Sequence, residues 1–210
     1  MVINYADKQA QIKLVYYGPA AAGKTTSLQY LASQLNVEVV DMEFRGRGDN
    51  DRAVFFEFAP LITKFGKWSI RFNFFTLPGQ LRYANTRALV LNGAQGIVYV
   101  ADSQYDAAEE NLRMLADLQN NLSREGVALE GLSAKGESEI PIVLFYNKRD
   151  LPDIMPVEYM DATFGLRTWK IPRLCGSALI GQNVLKAADL ITSNLMRQLA
   201  ENLGLEEKED

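Results

Sequence analysis

Eight residues constrain this chain more than any others: Gly18-Pro19-Ala20-Ala21-Ala22-Gly23-Lys24-Thr25. They match G-x-x-x-x-G-K-[ST] without a mismatch. The context is the one this pattern demands. Gln11–Tyr17 before it reads as a strand ending at Gly18. Gly23–Leu35 after it carries Leu28, Leu31 and Leu35 at the spacing of a helix face. Two glycines let the backbone wrap closely round a phosphate with several N–H groups turned inward. Lys24 supplies a cation for the outer phosphates, and the helix N-terminus adds its own positive field. Gly18, Ala21, Ala22, Gly23, Lys24, Thr25 and Thr26 are therefore the expected phosphate-binding residues, and the Thr25 hydroxyl the expected Mg2+ ligand.

The rest of the chain alternates strands and helices, which predicts an α/β fold with a mostly parallel six-stranded sheet and helices on both faces. Gly96–Asp102 and Ile140–Tyr146 are continuous apolar runs of strand length, as strands buried on both faces require. Ala53–Phe58 and Trp68–Thr76 are aromatic-rich and predict an antiparallel pair turned around Phe65-Gly66-Lys67. Ala107–Arg124 is helical in pattern, with Leu112, Leu115, Leu118 and Leu122 on one side. Lys170–Leu174 reads as a last short strand and Val184–Leu203 as a closing amphipathic helix. Within Asn36–Asp51 the charged, glycine-rich end reads as a mobile loop, and Ser133–Glu139 as a surface loop. No repeat or composition break divides residues 1–210, so a single domain is expected.

Three further motifs follow the strands. Asn147-Lys148-Arg149-Asp150 matches N-K-x-D, the guanine-reading motif of Ras-like GTPases. The Asp150 carboxylate can accept hydrogen bonds from the ring N–H and the exocyclic amine of guanine, whereas adenine would leave it unpaired. Cys175-Gly176-Ser177-Ala178 resembles the short S-A element whose backbone N–H groups meet the guanine carbonyl, at Ser177 and Ala178. A plain loop of small residues would look the same, and only its order in the chain favours the former. Thr76-Leu77-Pro78-Gly79-Gln80 stands where D-x-x-G-Q is usual: Gly79 would offer its N–H to the γ-phosphate and Gln80 would orient the attacking water. The guanine motif, with no lid-type arginine cluster, argues against a P-loop kinase or ATPase.

With T-x-P-G-Q in place of the acidic version, the chain resembles the bacterial MglA-type small Ras-like GTPases (the mutual gliding protein A group), and so the Ras-like P-loop fold. Asn50-Asp51-Arg52-Ala53-Val54-Phe55-Phe56-Glu57-Phe58 is similar to that group's D-E-R-T-L-F-F-D-F, and Lys13–Pro19 is similar too. The resemblance implies that Gln80 and Arg52 are catalytic, Arg52 as an arginine finger carried in cis. A solvated arginine in a charged loop is the reading without it. It also implies GTP and GDP as ligands with Mg2+, and a homodimeric partner of roadblock/LC7 fold that accelerates hydrolysis. Effectors of cell polarity or motility complete the expected partners. Ala53 replaces the family's Mg2+-contacting threonine and Thr76 its aspartate, so a GTP-binding polarity scaffold with little hydrolysis is the alternative.

Composition narrows the classes further. A net charge of −4 argues against a general nucleic-acid binder. Cys175 is the only cysteine, which suits a reducing compartment, and it reads as a buried small apolar residue more readily than as a reactive thiol. The start lacks a signal-peptide pattern, Val2 excludes myristoylation, and the acidic tail holds no cysteine for prenylation. No run approaches the roughly 20 apolar residues of a membrane span. A cytoplasmic protein without its own membrane anchor is expected, brought to a cell pole only through partners.

Overall fold

In chain order the strands of the computed structural model are β1 (Val2–Asn4), β2 (Gln9–Tyr17), β3 (Val39–Arg45), β4 (Arg52–Phe58), β5 (Leu61–Phe65), β6 (Trp68–Thr76), β7 (Gly96–Asp102), β8 (Val127–Leu129), β9 (Ser138–Ile140), β10 (Ile142–Asn147) and β11 (Arg173–Cys175). The helices are α1 (Lys24–Leu35), α2 (Ala84–Leu91), α3 (Ala108–Arg124), α4 (Val157–Thr163) and α5 (Val184–Leu203). The structure describes residues 1–37, 39–45, 52–58, 61–76, 84–132, 138–166 and 168–204.

The continuous apolar runs decide the centre. Every residue of β7 and of β10 is buried, and the two pair in parallel from Ile97 opposite Ile142 to Asp102 opposite Asn147. Strand order is β11-β10-β7-β2-β6-β4-β3, with β1 added to β2 and β5 to β6. The five strands β11, β10, β7, β2 and β6 are parallel, while β1, β3, β4 and β5 join antiparallel. Alternate residues of β2 feed two cores: Ile12, Leu14 and Tyr16 face α1 and α5, and Val15 and Tyr17 face the side of α3 and α4. Helices thus cover both faces, as the alternation predicts.

Several expectations are corrected. Among the described residues the sheet has nine strands, not six, because β1, β3 and β5 join it as well, each a piece of three to seven residues whose strand identity comes from pairing with a neighbour. The turn at Gly66 (φ 55) closes β5 against β6, with Phe65 opposite Trp68, rather than joining Ala53–Phe58 to Trp68. Residues 39–45, to which the sequence assigns no element, form β3, which places Arg52 opposite Arg45 and Ala53 opposite Phe44 within β4; the loop expected at the end of Asn36–Asp51 lies, beyond Arg45, outside the described residues. Pro172 delays the last strand to Arg173, since a proline supplies no N–H to a ladder. Pro141 splits the run 140–146 in the same way, and its preceding piece β9 pairs with β8, so Ser138 and Glu139 are not loop. On α3 Leu115, Leu118 and Leu122 are buried, but Leu112 is 41% exposed, standing ~100° around the helix from buried Asn111.

Candidate functional site

All the loops at issue leave the carboxyl ends of parallel strands, on one edge of the sheet, where ligands of open α/β sheets bind. Between β2 and α1 the chain turns so tightly that both motif glycines have a steric reason to be there. Gly18 has φ 139, and a Cβ on it would stand 2.1 Å from the Val100 carbonyl oxygen. Gly23 has φ 98, and its Cβ would stand 2.1 Å from Asn147 Nδ2. Ala21 also adopts a left-handed conformation, φ 58, at a cost of about 1 kcal/mol for a residue with a side chain. Such strain persists where the surroundings enforce it and collects at ligand sites. Successive turns of this kind aim backbone N–H groups into one concavity that suits an anion. The start of α1 agrees: Gly23 caps it without any side-chain hydrogen bond, so its first N–H groups are not taken by a cap.

Lys24 projects back over this loop. It is 6% exposed, and Nζ donates to the carbonyl oxygens of Gly18, at 2.9 Å, and of Pro19. Burial, and secondarily the charge of Arg87, hold its pKa down at about 7. A neutral amine has two N–H groups, and two carbonyls satisfy them. An arriving phosphate would restore the charged form. Thr25 and Thr26 follow half-buried in the first helical turn.

Asn147 links this loop to the other side of the site. Its Nδ2 donates to the Ala22 carbonyl at 2.6 Å, and its Oδ1 accepts the Ala178 N–H at 2.7 Å. Asn147 thus stitches the two loops together, using one of its two amide N–H groups and its carbonyl oxygen. Lys148 has φ 65 and reaches Asp102 Oδ2 at 2.5 Å and Gln104 Oε1 at 3.1 Å. Arg149 N–H donates to the Gly176 carbonyl at 3.0 Å, and Gly176 N–H to the Tyr146 carbonyl at 2.9 Å. Gly176 admits no side chain, for a Cβ would lie 2.2 Å from the Gln182 carbonyl. These bonds leave Asp150 exposed at the rim of a pocket of about 190 Å³, lined by Ala21, Gly23, Thr26, Asn147, Lys148, Leu151, Ser177, Ala178 and Leu179 as well.

Whether the residues fit a purine nucleotide is answered by the donors on show. The Ser177 hydroxyl is fully buried in the pocket wall with no hydrogen-bond partner among the described residues. The nest at Ala21, the buried amine of Lys24 and the Asp150 carboxylate complete a donor–acceptor set that fits phosphate at one end and a guanine edge at the other. No cluster of three or more acidic, histidine or cysteine side chains occurs among the described residues. Mg2+ would fit such a place, since it keeps most of its waters and needs few protein ligands, and the Thr25 hydroxyl would be the one to hold it.

The other expected residues are distributed less fully. Thr76 is buried at the end of β6, opposite Tyr16 and so level with the start of the phosphate loop. Arg52 and Ala53 are placed by their backbones in β4. Gly79 and Gln80 lie outside the described residues. Cys175 is half-buried and its thiol pKa is raised by burial, consistent with an unreactive residue. Two supporting residues escaped the sequence reading. Asp102 anchors Lys148, and Asn111 of α3 holds Asp102 in turn: its Oδ1 accepts the Asp102 N–H at 3.0 Å and its Nδ2 donates to the Asp102 carbonyl at 2.8 Å. A carboxylate ending an otherwise apolar buried strand was the signal that could have found Asp102.

The chain is 35% identical over 198 residues to the mutual gliding-motility protein MglA of Myxococcus xanthus, covering 94% of this chain and 96% of that protein. ADP-ribosylation factor-like protein 6 of Caenorhabditis briggsae is 29% identical over 144 residues, 66% of this chain and 70% of its own. Human Ras-related protein Rab-27B is 28% identical over 193 residues, 90% and 81% respectively. No protein-family model matches the chain. No helix among the described residues is long and apolar enough to cross a membrane.

Proposed function

This chain belongs to the MglA group of small Ras-like GTPases, and on that premise we propose that it is a GTP/GDP switch whose GTP form recruits effectors of cell polarity or motility. The observation that carries the reading is the pocket that Ala21, Gly23 and Thr26 of the first loop share with Asn147, Lys148 and Asp150 of the second and Ser177 and Ala178 of the third. Lys24 and the N–H groups around Ala21 hold the phosphates, Asp150 reads the guanine edge, and Lys148, fixed by Asp102, covers the base with its aliphatic stem. Mg2+, held through Thr25, offsets charge on the outer phosphates. Gln80 orients water, Gly79 meets the γ-phosphate and Arg52 offsets transition-state charge, an effect of about 10³–10⁵ in rate for such arginines.

Intrinsic turnover is slow on this reading, because Arg52 has to be brought to the phosphates before its charge helps. A homodimeric partner of roadblock/LC7 fold supplies that ordering and, through its own location, brings the switch to a cell pole. The scaffold alternative is favoured by Ala53, which has no side-chain oxygen to offer Mg2+, and by Thr76, which ends β6 with a hydroxyl where a carboxylate would hold the metal through water. The test is to identify nucleotide carried by the purified protein, compete GTP against ATP, and follow single-turnover hydrolysis with and without the partner. Equal competition by ATP refutes the guanine switch. GTP binding with no hydrolysis in either condition selects the scaffold.

A further inference from the structure

Behind the phosphate loop lies a charged junction that the site described above does not use. Arg87 of α2 is 1% exposed, sharing the inward face of its helix with Val90 and Leu91. Its Nε is 2.8 Å from Asp117 Oδ2 on α3. The same carboxylate oxygen accepts a short hydrogen bond from the hydroxyl of Tyr17, the last residue of β2 before Gly18. Tyr17 is held in turn by its ring, which stacks on Tyr99 of β7 at 6.5 Å. Three elements therefore meet at one carboxylate: the helix after Gln80 in the sequence, the helix that braces Asp102, and the strand that leads into the phosphate loop.

An arginine is a costly way to pack a helix. Its desolvation is repaid only by good geometry, and an apolar residue of similar volume beside Val90 and Leu91 would hold α2 at least as well. What the ion pair provides instead is one discrete arrangement with a solvent-accessible side, since Asp117 is 28% exposed while Arg87 is not. Such a pair can be broken and remade without stranding both charges in the core.

We propose that Arg87 is a positioning residue that, through Asp117 and Tyr17, locks α2 to the strand entering the phosphate loop and so couples α2 to the terminal phosphate of the nucleotide. This rests on the GTP/GDP switch reading. Arg87 touches no nucleotide in this account. Its effect is on how strongly the protein distinguishes GTP from GDP, since both nucleotides share the phosphates gripped by the loop and differ in the one assigned above to Gly79 and Gln80, which α2 follows in the chain.

The experiment uses the full chain and three variants, Arg87→Lys, Asp117→Asn and Tyr17→Phe. Dissociation rates of fluorescent GDP and of a fluorescent non-hydrolysable GTP analogue are measured with Mg2+, alongside thermal melting of the GDP form. In Arg87→Lys and Asp117→Asn the GTP analogue should leave about tenfold faster, within the usual range of coupling between sites, while GDP changes by no more than about twofold. Tyr17→Phe removes one hydroxyl and keeps the ion pair, so it should shift the same ratio in the same direction by a smaller factor. It also keeps the test open if the charge variants fail to fold. Restoring an acid with Asp117→Glu should recover part of the discrimination. Equal acceleration of both nucleotides, or no acceleration of either, overturns the proposal, because a purely structural role moves both together. Failure of the unmodified protein to bind either guanine nucleotide would overturn the switch reading itself, a separate result.

Discussion

Nucleotide binding should draw a proton from solvent, and Lys24 is the reason. Burial holds its pKa down from 10.5 to about 7 in the protein alone. At pH 8 only about one side chain in ten is then charged, and at pH 7 about half are. A phosphate bound against Lys24 favours the ammonium and returns the pKa toward its ordinary value. Binding at pH 8 should therefore take up about 0.9 proton per nucleotide, against about 0.1 at pH 6. Each pH unit between about 7 and 10 should cost roughly tenfold in affinity, or about 1.4 kcal/mol. The phosphates add little above pH 8, because their second ionisation lies near 6. The folded nucleotide-free protein binds fewer protons at Lys24 than the unfolded chain does between pH 7 and 10.5, so its stability should rise with pH in that window. Loading with nucleotide should flatten that slope. Calorimetric titration of GDP at pH 8, in buffers of different ionisation enthalpy, reads the proton count from the slope of heat against ionisation enthalpy. An uptake near zero would refute the reasoning and mean that the carbonyls of Gly18 and Pro19 already hold Lys24 charged.

Three other perturbations have clear expectations. Asp150→Asn should leave the melting temperature unchanged, since Asp150 is exposed, but weaken GTP and favour xanthine nucleotides by about a hundredfold in ratio, measured by competition. Asn147→Ala removes the partners of the Ala22 carbonyl and the Ala178 N–H, and should cost about 2–4 kcal/mol of stability in denaturant unfolding; a loss below about 1 kcal/mol would show that water replaces the stitch. Ala53→Thr places a hydroxyl on β4 where Mg2+ could take it, and should slow Mg2+-dependent GTP release several-fold, roughly 3–10, with GDP unchanged; equal GTP release from both proteins would remove the metal from that position.

How far the sequence could be read depended on the range of the interactions involved. Gly96–Asp102 and Val184–Leu203 were legible to the residue because each carries its whole signal within itself, a buried run in one case and a helical stripe in the other. The tight turn between β2 and α1 was legible for the same reason, lying within eight adjacent residues. β3 was not, because residues 39–45 take their strand identity from pairing with β4. Nor was α2, whose inward face includes an arginine that breaks the apolar pattern and makes sense only opposite Asp117. In the candidate site the motif letters identified Asn147, but not what it does. Its amide partners lie 125 residues before it and 31 after it, and no local pattern carries that distance.

The same difference in range divides the molecule mechanically. On one side β2, β7, β10 and β11 pair in parallel, and their loops are cross-bonded by Asn147, by Lys148 with Asp102, and by Arg149 with Gly176. That half presents the loops proposed for the base and the inner phosphates, and its loops constrain one another. On the other side β4 joins β6 through Glu57 opposite Phe75 among the described residues, and β3 hangs on β4 alone. Arg52 and Ala53 belong to this second half, while Thr76 stands at the end of β6, paired with Tyr16 of β2. A ligand group shared by GTP and GDP can be gripped by the first half with little change in it, whereas a group found only in GTP has to recruit elements with fewer ties. The energy that distinguishes the two nucleotides is therefore expected to reside where the fold is least braced, at β4 and α2. The Arg87–Asp117–Tyr17 junction is the described connection by which α2 can report back to the phosphate loop.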